Sequence, residues 1–169
     1  VKPDIFTTAK GITNATVPMG AVFVRDGIYD VFMEVAPEGA IEFFHGYTYS
    51  GHPLACAAGL ATLEVYREED LFARAAELAP YFQEAVHSLA DCKNVIDVRN
   101  LGLMGAIELE SIPNKLTVRA MEAFQKAFER GLLVRTTGDT IALSPPLIVE
   151  RKHIDFIAET VRDVVETVH

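Results

Sequence analysis

Phe6-Thr7-Thr8-Ala9-Lys10-Gly11 is the stretch whose reading decides the fold. Ile5, Phe6, Thr7 and Thr8 are strand formers, so Val1 to Thr8 is expected to be extended and buried. The strand stops at Lys10, and Gly11 is free to make the turn. A lysine there projects from the end of a strand. Held away from bulk water, its amine loses a proton near neutral pH and becomes a carbonyl nucleophile. Taken alone, the segment reads more readily as a solvated turn lysine beside a glycine, and the surrounding chain has to decide.

Working outward, Thr13 to Pro18 reads as a loop, and Ala21 to Val24 as a second buried strand closed by the turn signature Arg25-Asp26-Gly27. Ile28 to Phe32 suits a short helix. Phe43 and Phe44 lead into His45-Gly46-Tyr47-Thr48-Tyr49-Ser50-Gly51-His52. The hydroxyls and main-chain amides of that loop suit either an ordinary turn or a cradle for an anion. Pro53 is well placed to open a helix reaching about Arg67, because its missing N–H costs nothing there. Ala55, Ala57, Ala58, Gly59 and Ala61 leave one face smooth, for close approach of another helix or subunit or for plain tight packing. Asp70 can cap a second helix to about Leu89, striped by Leu71, Ala75, Leu78, Phe82 and Leu89.

From Asn94 the period changes. Val95 to Arg99 and Leu103 to Leu109 read as strands separated by Gly102, the second with Leu103, Ile107 and Leu109 on one face and Glu108 and Glu110 on the other. A helix from about Leu116 to Arg130 is stopped by Gly131. Leu132 to Arg135 and Thr140 to Leu143 form a hairpin about Thr137-Gly138-Asp139, ended by Pro145-Pro146. The last helix, Arg151 to Val168, puts Ile154, Ile157, Val161, Val164 and Val168 on one face. This part of the chain reads as a small α/β unit.

The 169 residues, 50% of them hydrophobic, can bury one substantial core. A formal charge of -9, with no Lys/Arg cluster, argues against nucleic acid. It does not exclude a phosphorylated ligand held locally by helix N-termini and hydroxyls. Cys56 and Cys92 lie far apart in the sequence with no CxxC partner, which points to reduced thiols in a cytoplasmic protein. His45, His52, His87, His153 and His169 show no metal-ligand spacing. No signal peptide and no membrane-spanning run is expected.

Several of these stretches, taken jointly, carry a resemblance. Pro3-Asp4-Ile5 before Thr8-Ala9-Lys10-Gly11, then Pro18-Met19-Gly20-Ala21-Val22, His45 to Pro53, Gly102-Leu103-Met104 and Ser144-Pro145-Pro146-Leu147 resemble the class III pyridoxal phosphate aminotransferases in order and spacing. The likeness covers essentially the whole chain. It implies a fold type I α/β architecture, with residues 1–66 ending the large cofactor domain and the interdomain helix, and residues 67–169 forming the small C-terminal domain.

By resemblance, Lys10 is the Schiff-base lysine that also moves the substrate proton, with pyridoxal 5'-phosphate as cofactor. The segment containing Tyr47 and Thr48 is similar to the loop that binds the cofactor phosphate of the neighbouring subunit. This implies a homodimer with composite active sites, whether or not dimers pair into tetramers. Arg135 matches the arginine of ω-amino acid:pyruvate aminotransferases that pairs with a substrate carboxylate. Ornithine-type relatives carry theirs at the position occupied here by Ala142, which favours the ω-amine or β-alanine:pyruvate group. The implied reaction is transamination from an amine donor to pyruvate or a similar keto acid.

The resemblance also marks what is missing. A glycine-serine phosphate loop, a ring-stacking aromatic and the aspartate that pairs with the pyridine nitrogen would all precede Val1. The chain therefore reads as the C-terminal portion of such an enzyme. As alternatives, it is an inactive fragment or dimerisation module of that fold, or part of a related aminomutase or dialkylglycine-type decarboxylase.

Overall fold

The computed structural model describes residues 2–41, 43 and 45–169, so Val1 and Phe44 of the expectations above lie outside the described residues. Backbone contacts divide the chain into two compact units, Val1–Glu69 and Asp70–His169.

In the first unit, β1 (Ile5–Ala9) pairs antiparallel with β2 (Gly20–Val24), with Thr7 opposite Val22. α1 (Asp26–Val35) follows directly where a turn is expected at Arg25-Asp26-Gly27. Arg25 ends the strand and starts the helix: its N–H donates to the Asp4 carbonyl, its guanidinium pairs with the Asp4 carboxylate at 2.6 Å, and its own carbonyl accepts the Ile28 N–H at 2.9 Å. Asp26 then sits in the first turn, where the helix dipole favours an anion. The expectation of buried strands is corrected. Phe6 is 54% exposed and Val22 58%, and α1 has no buried residue. A two-stranded hairpin has too few partners to cover both of its faces.

α2 (Pro53–Glu68) opens on its proline and buries Ala55 and Gly59. A Cβ at Gly59 would lie 3.6 Å from the Ile12 carbonyl oxygen and from the Met19 sulfur. The smooth face therefore admits the loop that follows β1.

The second unit is a four-stranded antiparallel sheet in the order β3-β4-β6-β5, made of β3 (Val95–Leu101), β4 (Met104–Leu109), β5 (Arg135–Thr137) and β6 (Thr140–Leu143). α3 (Leu71–His87) packs on β3 and β4, α4 (Val118–Glu129) on β5 and β6, and α5 (Arg151–Val165) against α3 and α4. The core gathers Phe82, Val86 and Leu89 with Ile107 and Leu109 of β4, Ile141 and Leu143 of β6, and Ile154, Val161, Val164 and Val168. Burying each such aliphatic or aromatic side chain is worth about 1.5–3 kcal/mol. Alternate residues on β4 and β6, among them the half-buried Ala106, Glu108, Thr140 and Ala142, belong to the second face of the sheet, away from these three helices.

Two local expectations change in this unit. Asp70 precedes α3 but makes no side-chain cap; it is left-handed at φ +47°, and its carbonyl accepts the Arg74 N–H at 3.0 Å. β5 begins at Arg135, not at Leu132, because Gly131 turns at φ +85° and the Leu132 N–H is spent closing α4 on the Ala127 carbonyl at 2.9 Å.

Candidate active site

Lys10 follows β1 directly, and the lysine turns the chain where the glycine is expected to. Its φ is +57°, in the left-handed region that non-glycine residues seldom enter. Its carbonyl accepts the N–H groups of Thr13 at 3.3 Å and Ala15 at 3.2 Å, and Asn14 and Ala15 are left-handed as well. Thr13 is buried within this turn, its hydroxyl donating to the Val17 carbonyl at 2.7 Å. Conformations of this kind cost of order 1–3 kcal/mol and persist where the surroundings over-determine them.

Gly11 serves close approach. The Tyr66 hydroxyl donates to the Gly11 carbonyl at 2.6 Å, and a Cβ at Gly11 would stand 3.3 Å from that hydroxyl. Tyr66 is a functional candidate that the sequence reading missed. Its signal is the 4-3-4 spacing of Ala55, Gly59, Thr62 and Tyr66, which sets these residues on one face of α2. The Lys10 side chain itself is exposed, so the expected shielding of its amine from bulk water is not provided within these residues.

The loop bearing Tyr47 and Thr48 is held by ring contacts. Phe32 to Phe43, Phe43 to His45 and His45 to Tyr47 have centroids 5.1, 5.6 and 4.4 Å apart. The Ser50 N–H then donates to the Tyr47 carbonyl at 3.0 Å and the His52 N–H to the Tyr49 carbonyl at 3.2 Å, delivering the chain to Pro53. With Met19, Gly20, Ala55 and Cys56, the loop lines a cavity of about 810 Å³. Tyr47 and Thr48 both line it and Lys10 does not. Among the described residues, no hydrogen bond uses the main-chain N–H of Tyr47 or Thr48, nor the Thr48 hydroxyl. Those donors suit an anion.

Arg135 belongs to the second unit, as the first residue of the edge strand β5. It is exposed, and among the described residues its guanidinium makes no hydrogen bond or ion pair. With Ala142, Ser144, Pro145 and Pro146 it lines a groove of about 570 Å³. The histidines have local duties: His153 Nδ1 accepts the Glu150 N–H at the start of α5, and His87 pairs with Asn100. Among the described residues, no group of three His, Cys, Asp or Glu side chains could hold a metal ion. No described helix is long and apolar enough to cross a membrane.

The chain matches the family Aminotransferase class-III over residues 1–165. It is 63% identical to an omega-aminotransferase of Caulobacter vibrioides over 164 residues, covering 97% of this chain and 37% of that protein. It is 47% identical to a beta-alanine–pyruvate aminotransferase of Pseudomonas aeruginosa, covering 95% of this chain and 36% of that one. The chain thus spans little more than a third of the length of either curated relative. Among solved structures it superposes on an amine transaminase from an uncultivated Pseudomonas species in its PLP-bound form, with a TM-score of 0.86 and 33% identity, over 96% of this chain and 38% of that one.

Proposed function

Because this chain belongs to the class-III aminotransferase family, we propose that its parent protein transfers an amino group from an ω-amino acid or related amine to pyruvate or a similar keto acid. The observation that carries this reading is the turn at Lys10: a left-handed lysine at a strand end, its carbonyl tied to Thr13 and Ala15 and its successor tied to Tyr66. Such an outlay on one backbone position fits a lysine whose Nζ must be aimed.

The residues present fit pyridoxal phosphate. Lys10 Nζ would hold it covalently, and the Thr48 hydroxyl with the main-chain N–H groups of Tyr47 and Thr48 would hold its phosphate. When bound, the cofactor supplies a carbonyl for a primary amine and a ring that takes up an electron pair. Lys10 Nζ would take the proton from the donor's nitrogen-bearing carbon in one half of the exchange and give one to the corresponding carbon of the acceptor in the other. Arg135 pairs with the substrate carboxylate through a bidentate ion pair and so fixes which end of an ω-amino acid points inward.

The cavity of Tyr47 and Thr48 is not lined by Lys10, which favours a homodimer in which each subunit completes the other's phosphate site. Residues 1–66 then end the large cofactor domain with the interdomain helix, and residues 67–169 form the small domain. The exposed apolar side chains of β1, β2 and α1 agree with a unit that packs against further protein. The free thiols Cys56 and Cys92 suit a cytoplasmic setting. The exposure of Lys10 favours a second reading for the 169 residues by themselves, an inactive portion of the enzyme.

The test is alanine formation from β-alanine and pyruvate by the full-length protein loaded with pyridoxal phosphate, beside Lys10→Ala and Thr48→Ala. Lys10→Ala is expected to abolish turnover, and Thr48→Ala to weaken cofactor binding about tenfold. Full turnover by Lys10→Ala would overturn the proposal.

A further inference from the structure

The first unit buries little. Among its described residues only Thr13, Ala55 and Gly59 are buried, and Thr13, at 1% exposed, is the polar one. A buried hydroxyl persists where its hydrogen bonds are met inside the protein. Thr13 meets its own within the turn that follows β1. Its N–H donates to the Lys10 carbonyl at 3.3 Å and its hydroxyl to the Val17 carbonyl at 2.7 Å, while its carbonyl accepts the Thr16 N–H at 3.1 Å and the Thr16 hydroxyl at 2.7 Å. One residue thus ties both ends of the segment from Lys10 to Val17.

The flanks of this segment are fixed, because Ala9 pairs with Gly20 at the end of the hairpin and Pro18 has a restricted φ. Between them Lys10, Asn14 and Ala15 stand at φ +57°, +49° and +58°, a conformation that such residues hold only where the surrounding turn is closed. α2 supports the segment from one side, at Gly11 through the Tyr66 hydroxyl and at Ile12, whose carbonyl oxygen would lie 3.6 Å from a Cβ at Gly59. Neither contact reaches Val17. Closure onto Val17 is made by the Thr13 hydroxyl. A backbone rotation at Lys10 redirects its Cα–Cβ bond, and the long side chain magnifies the displacement at Nζ.

We infer that Thr13 is a positioning residue for Lys10: its buried hydroxyl closes the turn and holds Lys10 left-handed, the conformation from which Nζ reaches the aldehyde of pyridoxal phosphate. In that step Nζ forms a C=N bond to the aldehyde carbon, and the carbonyl oxygen leaves as water with both amine protons. Thr13 acts through the backbone of Lys10. The inference rests on the proposed attachment of the cofactor to Lys10.

The apo form of the full-length protein tests it. Pyridoxal phosphate is added, samples are reduced with borohydride over time, and peptide mass gives both the rate of attachment and the lysine that carries it. Pyridoxamine phosphate, which has the phosphate but no aldehyde, reads the phosphate site separately, since Val17 lines the cavity of Tyr47 and Thr48. Thr13→Val keeps the side-chain shape and removes the hydroxyl. It is expected to attach the cofactor at Lys10 about tenfold more slowly, as for the loss of one hydrogen bond, with the affinity for pyridoxamine phosphate unchanged. Thr13→Ser restores the hydroxyl and is expected to attach at the wild-type rate. A thermal melt shows whether each variant is folded, and Thr13→Ala takes the place of Thr13→Val if the latter is not. Attachment at the wild-type rate without the hydroxyl overturns the inference, as does a Thr13→Ser variant as slow as Thr13→Val. An equal loss of pyridoxamine phosphate affinity overturns it too, because Thr13 would then serve the cavity and not the lysine. In these three outcomes the label still falls on Lys10, and the reading of Lys10 stands. If the label falls on other lysines and Lys10→Ala attaches as fast as the wild type, the reading of Lys10 fails and this inference fails with it.

Discussion

Tyr66 donates its hydroxyl to the Gly11 carbonyl at 2.6 Å, across 55 residues of chain. The bond fastens the turn that carries Lys10 to the last turn of the first unit's longest helix. Tyr66→Phe keeps the ring and removes the bond, at an expected cost of about 0.5–1.5 kcal/mol in stability. In the full-length holoenzyme kcat is expected to fall several-fold, because the Lys10 amine is then less well aimed. A thermal melt beside steady-state kinetics checks both, and an unchanged kcat with a lowered melt would reduce Tyr66 to a packing residue.

Asp139 replaces the missing cap of α4. It is 8% exposed, and its Oδ2 accepts the Ser111 hydroxyl at 2.7 Å and the Thr117 N–H at 3.1 Å. Burial pushes its carboxyl up, but the Ser111 hydroxyl, the main-chain N–H groups at the start of α4 and the nearby Arg119 charge together hold it below the ordinary carboxylate range. A folded value below the unfolded one gives stability that is present at neutral pH and is lost as the pH falls through the folded value, below about 4. Asp139→Asn is expected to cost about 1–2 kcal/mol at pH 7. The gap to the wild type should narrow in acid. Denaturant unfolding at both pH values measures it, and a constant gap would show that the charge contributes nothing.

Gly105 lies where β4 passes under α3. A Cβ there would meet two ring carbons of Phe82 at 3.2 Å and a methyl of Val86 at 3.4 Å, and Phe82 is fully buried. Gly105→Ala is expected to destabilise by about 1–3 kcal/mol through overpacking, although alanine is otherwise the better strand residue. Pairing it with Val86→Ala should recover part of the loss, as a melt of the single and double variants would report.

The regular elements were legible because their signals are local. Pro53 opens α2 where a proline is tolerated, Ile107 and Leu109 alternate with Glu108, and Ile154, Val161 and Val164 keep helical spacing; each stands where the period puts it. The limits of elements were less so. β5 starts three residues late because the Leu132 N–H goes to the end of α4, and Arg25 opens a helix because Asp4 holds it. Both depend on partners outside the local window.

The sequence by itself determined the order of elements, the membership of the family and the residue types at Lys10, Tyr47, Thr48 and Arg135, since motif order and side-chain period are properties of the chain read in line. Only the tertiary structure decided that Lys10 and not Gly11 bends the backbone, that Tyr66 holds it, that Asp139 caps α4 and that Ala142 lies beside Arg135. Each of those relations joins residues that sheet register or a helix face brings together, and a hydrogen bond or a close contact depends on that distance in space, whatever the separation along the chain.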